Sequence, residues 1–316
     1  MNLSKLFQNS IKLQRCTGLN PQQFGALSLK IKPLWETRER QRLSRPDRQR
    51  KMGAGHPYRL KTMEEKLLVI LLWYKLYPAF WFLGLVVGLD AANVCKLVQK
   101  LRPLLQEAAD PELSIYFKKI NQDLKPLFKG RKKISSFKDL KEQFPEIAEI
   151  LIDATEQERE RPRKRIQKAY RSGKRKQHTL KTQIAVNRRG RILNISKTYP
   201  GSVHDLTVLR TEKTTDKIPE TARVYLDRGY QGIQREGPRL DFRIPPKRNR
   251  WKRLLSRSEK ILKTRISKKR ILIEHVFSRL KKYRLLADKI RHEAKNYNQD
   301  FRNIASLVNF RLSYQI

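Results

Sequence analysis

The sequence predicts a mixed α/β part that follows an all-α part, and two changes of residue pattern predict this order. From about 62 to 108 the apolar residues recur at helical spacing. The first and fourth of the runs that follow Pro145 are apolar on both faces, so we expect them to be central strands. These short runs predict strands at about 148–154, 180–187, 191–198 and 222–227, with helices from near Ser202 and over about 266–283.

Residues 1–61 are predicted to form a basic amino-terminal segment. We expect a short helix over 21–35, because its apolar residues recur near helical spacing. Residues 36–61 follow with many arginines, two prolines and two glycines. This composition predicts an arm that becomes ordered only against a partner.

Residues 62–109 are predicted to form three helices. A capping box, Thr62 with Glu65, starts the first helix. A tight turn at Gly88-Leu89-Asp90 precedes the third helix, 91–108. Three helices with a short glycine-containing turn before the last one are typical of a helix-turn-helix domain.

The third of these helices carries the residues that we expect to contact DNA in this domain, which are Lys96, Lys100 and Arg102. In helix-turn-helix proteins the last helix enters the major groove. The alternative is a helical bundle that serves packing or dimerisation. Residues 110–145 follow as a basic connector, which ends in a short helix from Ser136 to Phe144.

The most apolar stretch, residues 67–89, does not predict a membrane span. Lys75 and Tyr77-Pro78 divide it into pieces of about ten residues, whereas a bilayer needs about 20. We therefore expect two buried helices there and no membrane partner. Basic residues also interrupt the amino terminus, so no secretion signal is expected.

The charge of the chain predicts a polyanionic partner. It contains 72 Lys and Arg against 30 Asp and Glu, a formal net charge of +42. Nucleic acid is the large polyanion that such a protein is expected to meet. A structural RNA-binding protein is an alternative, although no aromatic RNA-recognition motif is visible. Cys16 and Cys95 stand alone, which indicates no disulfide framework and fits a reducing, cytoplasmic location.

Three acidic residues stand at the ends of, or inside, apolar segments of this basic chain. Asp153 ends "EILID", Asp227 ends "RVYLD" and Glu274 lies within "RILIEHVFSRLK". Two adjacent strands would bring both aspartates to one end of a sheet, and a helix packed there could add the glutamate. Carboxylates gathered so closely repel one another unless a cation neutralises them, and their oxygens suit Mg²⁺ or Mn²⁺.

Each acid also has an alternative explanation. Asp227 could cap a turn, Asp153 could pair with an arginine, and Glu274 could be an ordinary surface partner. A further acid lies in the sequence Ser202-Val203-His204-Asp205. We expect Asp205 to belong to a capping box there, bonding back to the start of the helix, rather than to the metal site.

Four segments occur in a recognisable order, and they are "LIDATEQ" at 151–157, "YPGSVHD" at 199–205, "DRGY" at 227–230 and "RILIEHVFSRLK" at 270–281. Together they resemble the bacterial insertion-sequence DDE transposases of the branch related to Harbinger elements. That family's last glutamate sits in a pattern of Tyr, two residues, Arg, three residues, Glu, six residues and Lys. Arg270, Glu274 and Lys281 match it, whereas Ser267 stands at the tyrosine position.

The resemblance implies a ribonuclease-H-like mixed-sheet catalytic core at 146–316, which includes a carboxyl-terminal helix. It implies that Asp153, Asp227 and Glu274 are catalytic and bind two Mg²⁺ or Mn²⁺ ions. The enzyme would cut phosphodiester bonds at the ends of a mobile element, and the freed 3′-hydroxyl would then attack target DNA.

Double-stranded DNA, as terminal inverted repeats and as target, is the partner that the resemblance implies, with a nucleoid-associated homodimer bound to it. Arg270 and Lys281 are expected to hold DNA phosphates or to orient the glutamate, and Trp251 to stack on a base at an extruded end. The alternative is a catalytically silent DNA-binding regulator derived from a transposase. The presence of all three acids favours the enzyme.

Overall fold

The computed structural model describes residues 6–44, 49, 57–129, 134, 136–235, 240–247 and 254–314. The chain forms two compact units. The first comprises Met1–Pro111, Leu280–Asp288 and Ala294–Ile316, and the second comprises Glu112–Arg279 and Lys289–Glu293. The carboxyl-terminal helix thus groups with the helical unit, whereas the sequence-based division assigns it to the part that contains the sheet.

The helices and strands are numbered in chain order. The helices are α1 (Ser10–Thr17), α2 (Pro21–Leu43), α3 (Met63–Leu76), α4 (Phe80–Val87), α5 (Ala91–Ala109), α6 (Tyr116–Lys129), α7 (Phe137–Gln143), α8 (Pro145–Ala148), α9 (Gln167–Tyr170), α10 (Asp205–Thr211), α11 (Thr214–Lys217), α12 (Arg257–Lys281), α13 (Arg284–Ala287) and α14 (Ala294–Leu312). The strands are β1 (Glu149–Glu158), β2 (Thr179–Asn187), β3 (Ile192–Ile195), β4 (Tyr199–Pro200), β5 (Arg223–Tyr225) and β6 (Asp241–Arg243).

Helix α3 is the centre of the first unit. Every residue from Leu67 to Tyr74 is buried, so this stretch is covered on all sides. Helix α5 packs against α2, α3, α4 and α14. Tyr74 and Arg102 both donate to Asp300 Oδ1, at 2.8 and 2.7 Å, and this buried polar contact explains why α14 belongs to this unit.

The three helices predicted for residues 62–109 are confirmed as α3, α4 and α5. Thr62 and Glu65 form the predicted capping box. Asp90 caps α5 by accepting from the Asn93 backbone N–H at 2.9 Å. Gly88 ends α4 with φ +73°, a left-handed conformation that favours glycine, and α4 and α5 meet at an angle of 95°.

Helix α4 is more exposed than the sequence predicts. Trp81 is 63% exposed, Phe82 50% and Leu85 72%, so only one side of this short helix is buried. The expectation of two buried helices is confirmed for α3 and is wrong for α4, since a two-turn helix at the rim of a bundle covers only one face. Among the described residues no single helix is long and apolar enough to cross a membrane, and α4 with α5 reach that composition only as a bent pair.

Helix α2 runs further than the sequence predicts. It continues to Leu43 through residues 36–43, which were expected to belong to an unfolded arm. Arg, Glu and Gln are good helix formers, and Arg42 pairs with Glu39 at 2.8 Å three residues earlier. Residues 45–48 and 50–56 of the predicted arm lie outside the described residues.

The second unit contains one mixed sheet of six strands. Their order is β3-β2-β1-β5-β6, with β4 paired to β2. β1, β2 and β3 are antiparallel neighbours, whereas β1 with β5 and β5 with β6 are parallel pairs. The four predicted strands and the central places of β1 and β5 are confirmed. A turn at Asn187–Gly190 joins β2 to β3, and Gly190 has φ +75° there.

Several elements of this unit were not predicted, among them β4, β6 and α6. β4 and β6 have only two and three residues, too few for an alternating pattern to be visible. Helix α6 lies inside the predicted connector. Its many basic residues made its apolar face, which buries Phe117 and Leu124, hard to recognise in the sequence. This face packs in one core with Ile150, Val224 and other apolar residues of β1 and β5.

Candidate active site

Asp153 and Asp227 lie side by side because β1 and β5 pair in parallel. The register aligns Leu151 with Tyr225, and each aspartate comes two residues after its member of that pair. Asp153 continues β1, whereas Asp227 follows β5 and starts a 3-10 turn, Arg228–Tyr230. The expectation that the two aspartates meet at one end of the sheet is confirmed by this register.

The guanidinium of Arg270 joins the two aspartates. Its Nη2 donates to Asp153 Oδ2 at 2.7 Å, and its Nη1 donates to Asp227 Oδ1 at 3.0 Å. The Arg270 and Asp153 side chains are each 15% exposed, and that of Asp227 is 44% exposed. Asp227 makes no capping bond with its side chain. Arg270 therefore pairs with acids and does not face outward as a phosphate contact.

Helix α12 brings Arg270 to the sheet. Lys269, the preceding residue, donates to Glu149 at the start of β1 at 3.0 Å. Two adjacent basic residues therefore hold α12 against β1, and the buried Ile273 and Val276 add an apolar contact face. Glu149 was not predicted to have a role, although an acid that begins a buried strand requires a partner.

Burial has the largest effect on the pKa of Asp153. Burial and the negative charges of Asp227 and Glu274 raise the pKa of Asp153 to about 6, against the opposing effects of Arg270 and of the Ala154 backbone N–H. The N–H of Ala154 donates to Asp153 Oδ1 at 2.8 Å. A second cation near Asp153 would favour its ionised form, as expected of a ligand for a divalent ion.

Glu274 stands one helical turn after Arg270 and is exposed. Its effect on the pKa of Asp153 shows that it lies within electrostatic range of that carboxylate. Across the described residues no three His, Cys, Asp or Glu side chains are gathered closely enough to hold a metal ion as they stand. The two aspartates thus share the Arg270 guanidinium, and Glu274 makes no such shared contact with them.

The donor set nevertheless fits a divalent metal. The position between Asp153 Oδ2 and Asp227 Oδ1 already holds a positive group, the Arg270 guanidinium. Within the described part of the chain, Arg270 Nε is buried without a hydrogen-bond partner, so this arginine is not fully satisfied where it lies. Carboxylate oxygens are the ligands that Mg²⁺ and Mn²⁺ prefer.

A second pair of acidic residues, Glu156 and Asp205, lies beside the buried Lys181 of β2. Lys181 Nζ lies 2.8 Å from Asp205 Oδ1 and 3.5 Å from Glu156 Oε1, and it donates to the Val203 carbonyl at 2.6 Å. The expected capping box is wrong, because α10 begins at Asp205 and has no side-chain cap bond. The ammonium attracts the Asp205 carboxylate more strongly than backbone N–H groups would.

Tyr230 of the "DRGY" segment links this second group to the aspartates. Its hydroxyl accepts from Gln183 Nε2 at 2.9 Å, and Gln183 Nε2 also lies 3.3 Å from the Asp205 carbonyl. Burial, with the charges of Asp153 and Asp205, holds the pKa of Tyr230 well above its ordinary value. The sequence analysis missed Lys181, but a lysine inside the apolar run "LKTQIAVN" was a signal, since buried lysines are almost always paired.

The predicted DNA contacts of α5 lie in different surroundings. Lys96 is exposed. Lys100 is partly buried and pairs with Glu39 at 3.0 Å. Arg102 is only 8% exposed and pairs with the fully buried Asp300 at 2.7 Å. This placement removes Arg102 from any surface that DNA could contact, because its charge is needed to neutralise a buried carboxylate.

The remaining predicted residues are on or near α12. Ser267 and Lys281 are both exposed on this helix, and Lys281 is its last residue. Trp251 lies outside the described residues. The structure therefore brings together Asp153, Asp227 and Arg270, with Glu274 close by.

Comparisons with known proteins agree with this geometry. The family model described as DDE superfamily endonuclease matches residues 152–309. A probable transposase for insertion sequence element IS702 of Microchaete diplosiphon is 27% identical over 267 residues, which are 84% of this chain and 87% of that protein. No solved structure matches the chain significantly.

Proposed function

The chain belongs to the DDE superfamily endonucleases, and from this premise we propose that it is a transposase that cuts DNA at the ends of a mobile element. In this proposal the freed 3′-hydroxyl then attacks a phosphodiester of target DNA. The observation that carries the proposal is the parallel register that sets Asp153 beside Asp227, with a cation between them.

Asp153, Asp227 and Glu274 would hold Mg²⁺ or Mn²⁺, in a two-ion site. Such ions activate a water or a sugar hydroxyl and stabilise the leaving oxygen of a phosphodiester displacement. In the protein alone, Arg270 keeps two negative groups together that would otherwise repel each other. Lys181 holds Glu156 and Asp205 together in the same way. Since Lys181 also bonds the Val203 carbonyl, it fixes the loop that precedes α10.

The fold supports the same proposal. Three antiparallel strands followed by two parallel ones, with the first strand in the middle, support a ribonuclease-H-like core. In the first unit, the three-residue turn at Gly88–Asp90 and the 95° angle between α4 and α5 support a helix-turn-helix, whose helices cross at about 90–120°. Lys96 is its exposed candidate for the major groove.

The experiment uses purified protein, Mn²⁺ or Mg²⁺, and a plasmid that carries the DNA flanking the gene. Strand cuts are mapped for the natural chain, for Asp227→Asn and for Asp123→Asn. Asp123 is an exposed acid on α6 and serves as the matched control. We expect cuts at defined flanking positions that persist in Asp123→Asn and disappear in Asp227→Asn.

Two other results would count against the enzyme. Tight DNA binding with no cuts from any of the three proteins would favour the catalytically silent regulator. Cuts that persist in Asp227→Asn would remove this residue from the reaction. A homodimer on DNA, terminal inverted repeats as its binding sites and a location at the nucleoid remain part of the proposal.

A further inference from the structure

The connection between β1 and β2 is the most basic segment of the second unit. We call residues 159–178 the basic excursion. It contains ten Lys and Arg and a single acid, Glu160. Antiparallel neighbours need only a two-residue turn to connect them, so the length of the excursion is not required by the sheet.

The basic excursion is folded and anchored at both ends. The Arg159 N–H donates to the His178 carbonyl at 2.9 Å, and the Arg159 guanidinium lies 4.4 Å from the centre of the Tyr170 ring. Ser172 is buried, and its N–H donates to the Gln177 carbonyl at 2.8 Å. The tip is therefore a closed turn of definite shape.

A third anchor ties the basic excursion to the candidate active site. Ser202 donates from its backbone N–H to the Ala169 carbonyl at 3.3 Å, and its hydroxyl bonds the same oxygen. Ser202 precedes Asp205, whose carboxylate is fixed by Lys181. The excursion is thus attached to the loop that lies next to the catalytic acids.

Most cations of the basic excursion neutralise no acid of the protein. Nine of them are exposed and form no ion pair with any described residue, namely Arg161, Arg163, Lys164, Arg165, Lys168, Arg171, Lys174, Arg175 and Lys176. Elsewhere in this unit, Lys181, Lys269 and Arg270 each neutralise an acid. The excursion gathers charge that the fold itself does not need.

Lys176 adds an independent observation. It adopts φ +58°, a left-handed conformation that costs a lysine free energy and that glycine or asparagine would take more easily. The Lys176 side chain places a positive charge at the tip of the turn.

We propose that the basic excursion binds the phosphate backbone of duplex DNA beside the site of cutting. The position of this contact relative to the cut rests on the proposed function. Arg159, the residue after the end of β1, is six residues beyond Asp153, about 20 Å at the usual rise per residue. That distance corresponds to about six nucleotides of one DNA strand. The contact is therefore expected in the flank of the cut site, and it carries no base specificity.

Duplex DNA fits the basic excursion better than other polyanions do. An anionic membrane would require apolar side chains next to the charges, and Ile166 is the single exposed large apolar residue of the excursion. Single-stranded RNA is usually bound through exposed aromatic rings, whereas Tyr170 is covered by Arg159. Rows of cations without stacking rings are typical of contact with a phosphate backbone.

The test is the salt dependence of DNA binding, measured with the full chain in EDTA so that no cutting occurs. Fluorescence anisotropy of a labelled 30-base-pair duplex is recorded over a range of NaCl concentrations. One variant carries Lys174→Gln, Arg175→Gln and Lys176→Gln. The matched control carries Lys138→Gln, Lys141→Gln and Lys213→Gln, which removes the same charge from exposed positions of the same unit.

We expect the log–log slope of affinity against salt to become shallower by about 2–3 in the first variant, since each phosphate contact contributes about 0.9. The control should change it by less than about 1. Thermal unfolding of both variants should match the natural chain, because all six side chains are exposed. An unchanged slope in the first variant, or an equal change in the control, overturns the inference.

A second measurement locates the contact. Duplexes that end about 4 or about 12 base pairs beyond the mapped cut are compared for binding. The natural chain should prefer the longer flank, and the first variant should lose most of that preference. If the natural chain and the first variant prefer the longer duplex equally, the proposed position of the contact is overturned. If the natural chain makes no cuts but the slope still changes, the proposed enzyme fails and the DNA contact of the excursion stands.

Discussion

Arg270 Nη2 lies 2.7 Å from Asp153 Oδ2, so a positive charge of the protein stands beside a carboxylate that we propose as a metal ligand. The same guanidinium reaches Asp227, the partner of Asp153 in the site. An arginine in this position both holds the carboxylates together and competes with any other cation for them. The balance between these two effects can be measured.

Replacing Arg270 with glutamine should strengthen the binding of a divalent ion in the absence of DNA. The two carboxylates would lose their internal cation, and we expect the affinity for Mn²⁺ to rise about tenfold, equivalent to about 1.4 kcal/mol. Isothermal titration calorimetry with Mn²⁺ measures this directly. Arg265→Gln, at an exposed position on the same helix, is the matched control and should leave the affinity unchanged. Weaker binding by Arg270→Gln would show that Arg270 orients the aspartates for the metal instead of competing with it.

Lys181→Met should destabilise the second unit strongly. Two acids, Glu156 and Asp205, would remain next to one another without their shared cation. Removing one partner of a buried ion pair costs about 3 kcal/mol of unfolding free energy, and somewhat less here because Asp205 is partly exposed. Urea denaturation compares this variant with Lys168→Met, an exposed lysine that should have no effect. A loss below about 1 kcal/mol would mean that water already screens the pair.

Substitutions of Arg102 and Lys96 should have separate effects, one on the stability of the first unit and the other on its DNA binding. Arg102→Gln leaves Asp300 buried without its cation, so the melting temperature should fall, while the salt dependence of DNA binding by the folded protein should stay the same. Lys96→Gln should do the opposite and reduce the log–log slope by about 0.9 if this exposed lysine contacts a phosphate. A reduced slope in Arg102→Gln without any loss of stability would return Arg102 to the DNA surface.

Glu39 should make the stability of the first unit depend on pH. Burial raises the pKa of Glu39, but hydrogen bonds from Arg42, Tyr58 and Lys100 outweigh this effect and lower the pKa to about 2, from 4.5. A carboxyl whose pKa is lower in the folded state stabilises the protein above the unfolded value and loses that effect as pH falls toward the folded value. Glu39→Gln should therefore cost about 1–2 kcal/mol at pH 7, after allowance for solvent screening, and progressively less below about 4.5.

The matched control for Glu39 lies on the same helix. Glu36 is exposed one turn earlier, and Glu36→Gln should leave the pH profile as in the natural chain. Urea denaturation at steps between pH 7 and pH 3 gives the two profiles. A Glu39→Gln deficit that is the same at every pH would contradict the assignment, because it would come from lost packing and not from charge.

Local patterns in the sequence predicted most of the second unit. Alternation and apolar runs located β1, β2, β3 and β5, and the two strands that bear aspartates could be paired because both end in an acid. What the sequence could not show is which cation an acid meets. Asp153 and Arg270 are far apart in the chain, as are Arg102 and Asp300, and each contact depends on tertiary packing alone.

Long helices of charged residues were also hard to recognise. Residues 36–43 of α2 and most of α6 have the composition of a linker, yet tertiary contacts fold them as helices. The basic excursion is likewise folded although its composition is mostly cationic. Composition alone does not distinguish an unstructured basic segment from a folded one.

The parallel register of β1 with β5 restricts where this chain can gain or lose residues. Because side chains alternate between the faces of a strand, a single insertion between Tyr225 and Asp227 would turn the carboxylate away from Asp153. An insertion in the segment between β4 and β5, by contrast, leaves that pairing intact. Descendants of this sequence should therefore vary in length between the two strands while keeping the two-residue step from Leu151 to Asp153 and from Tyr225 to Asp227.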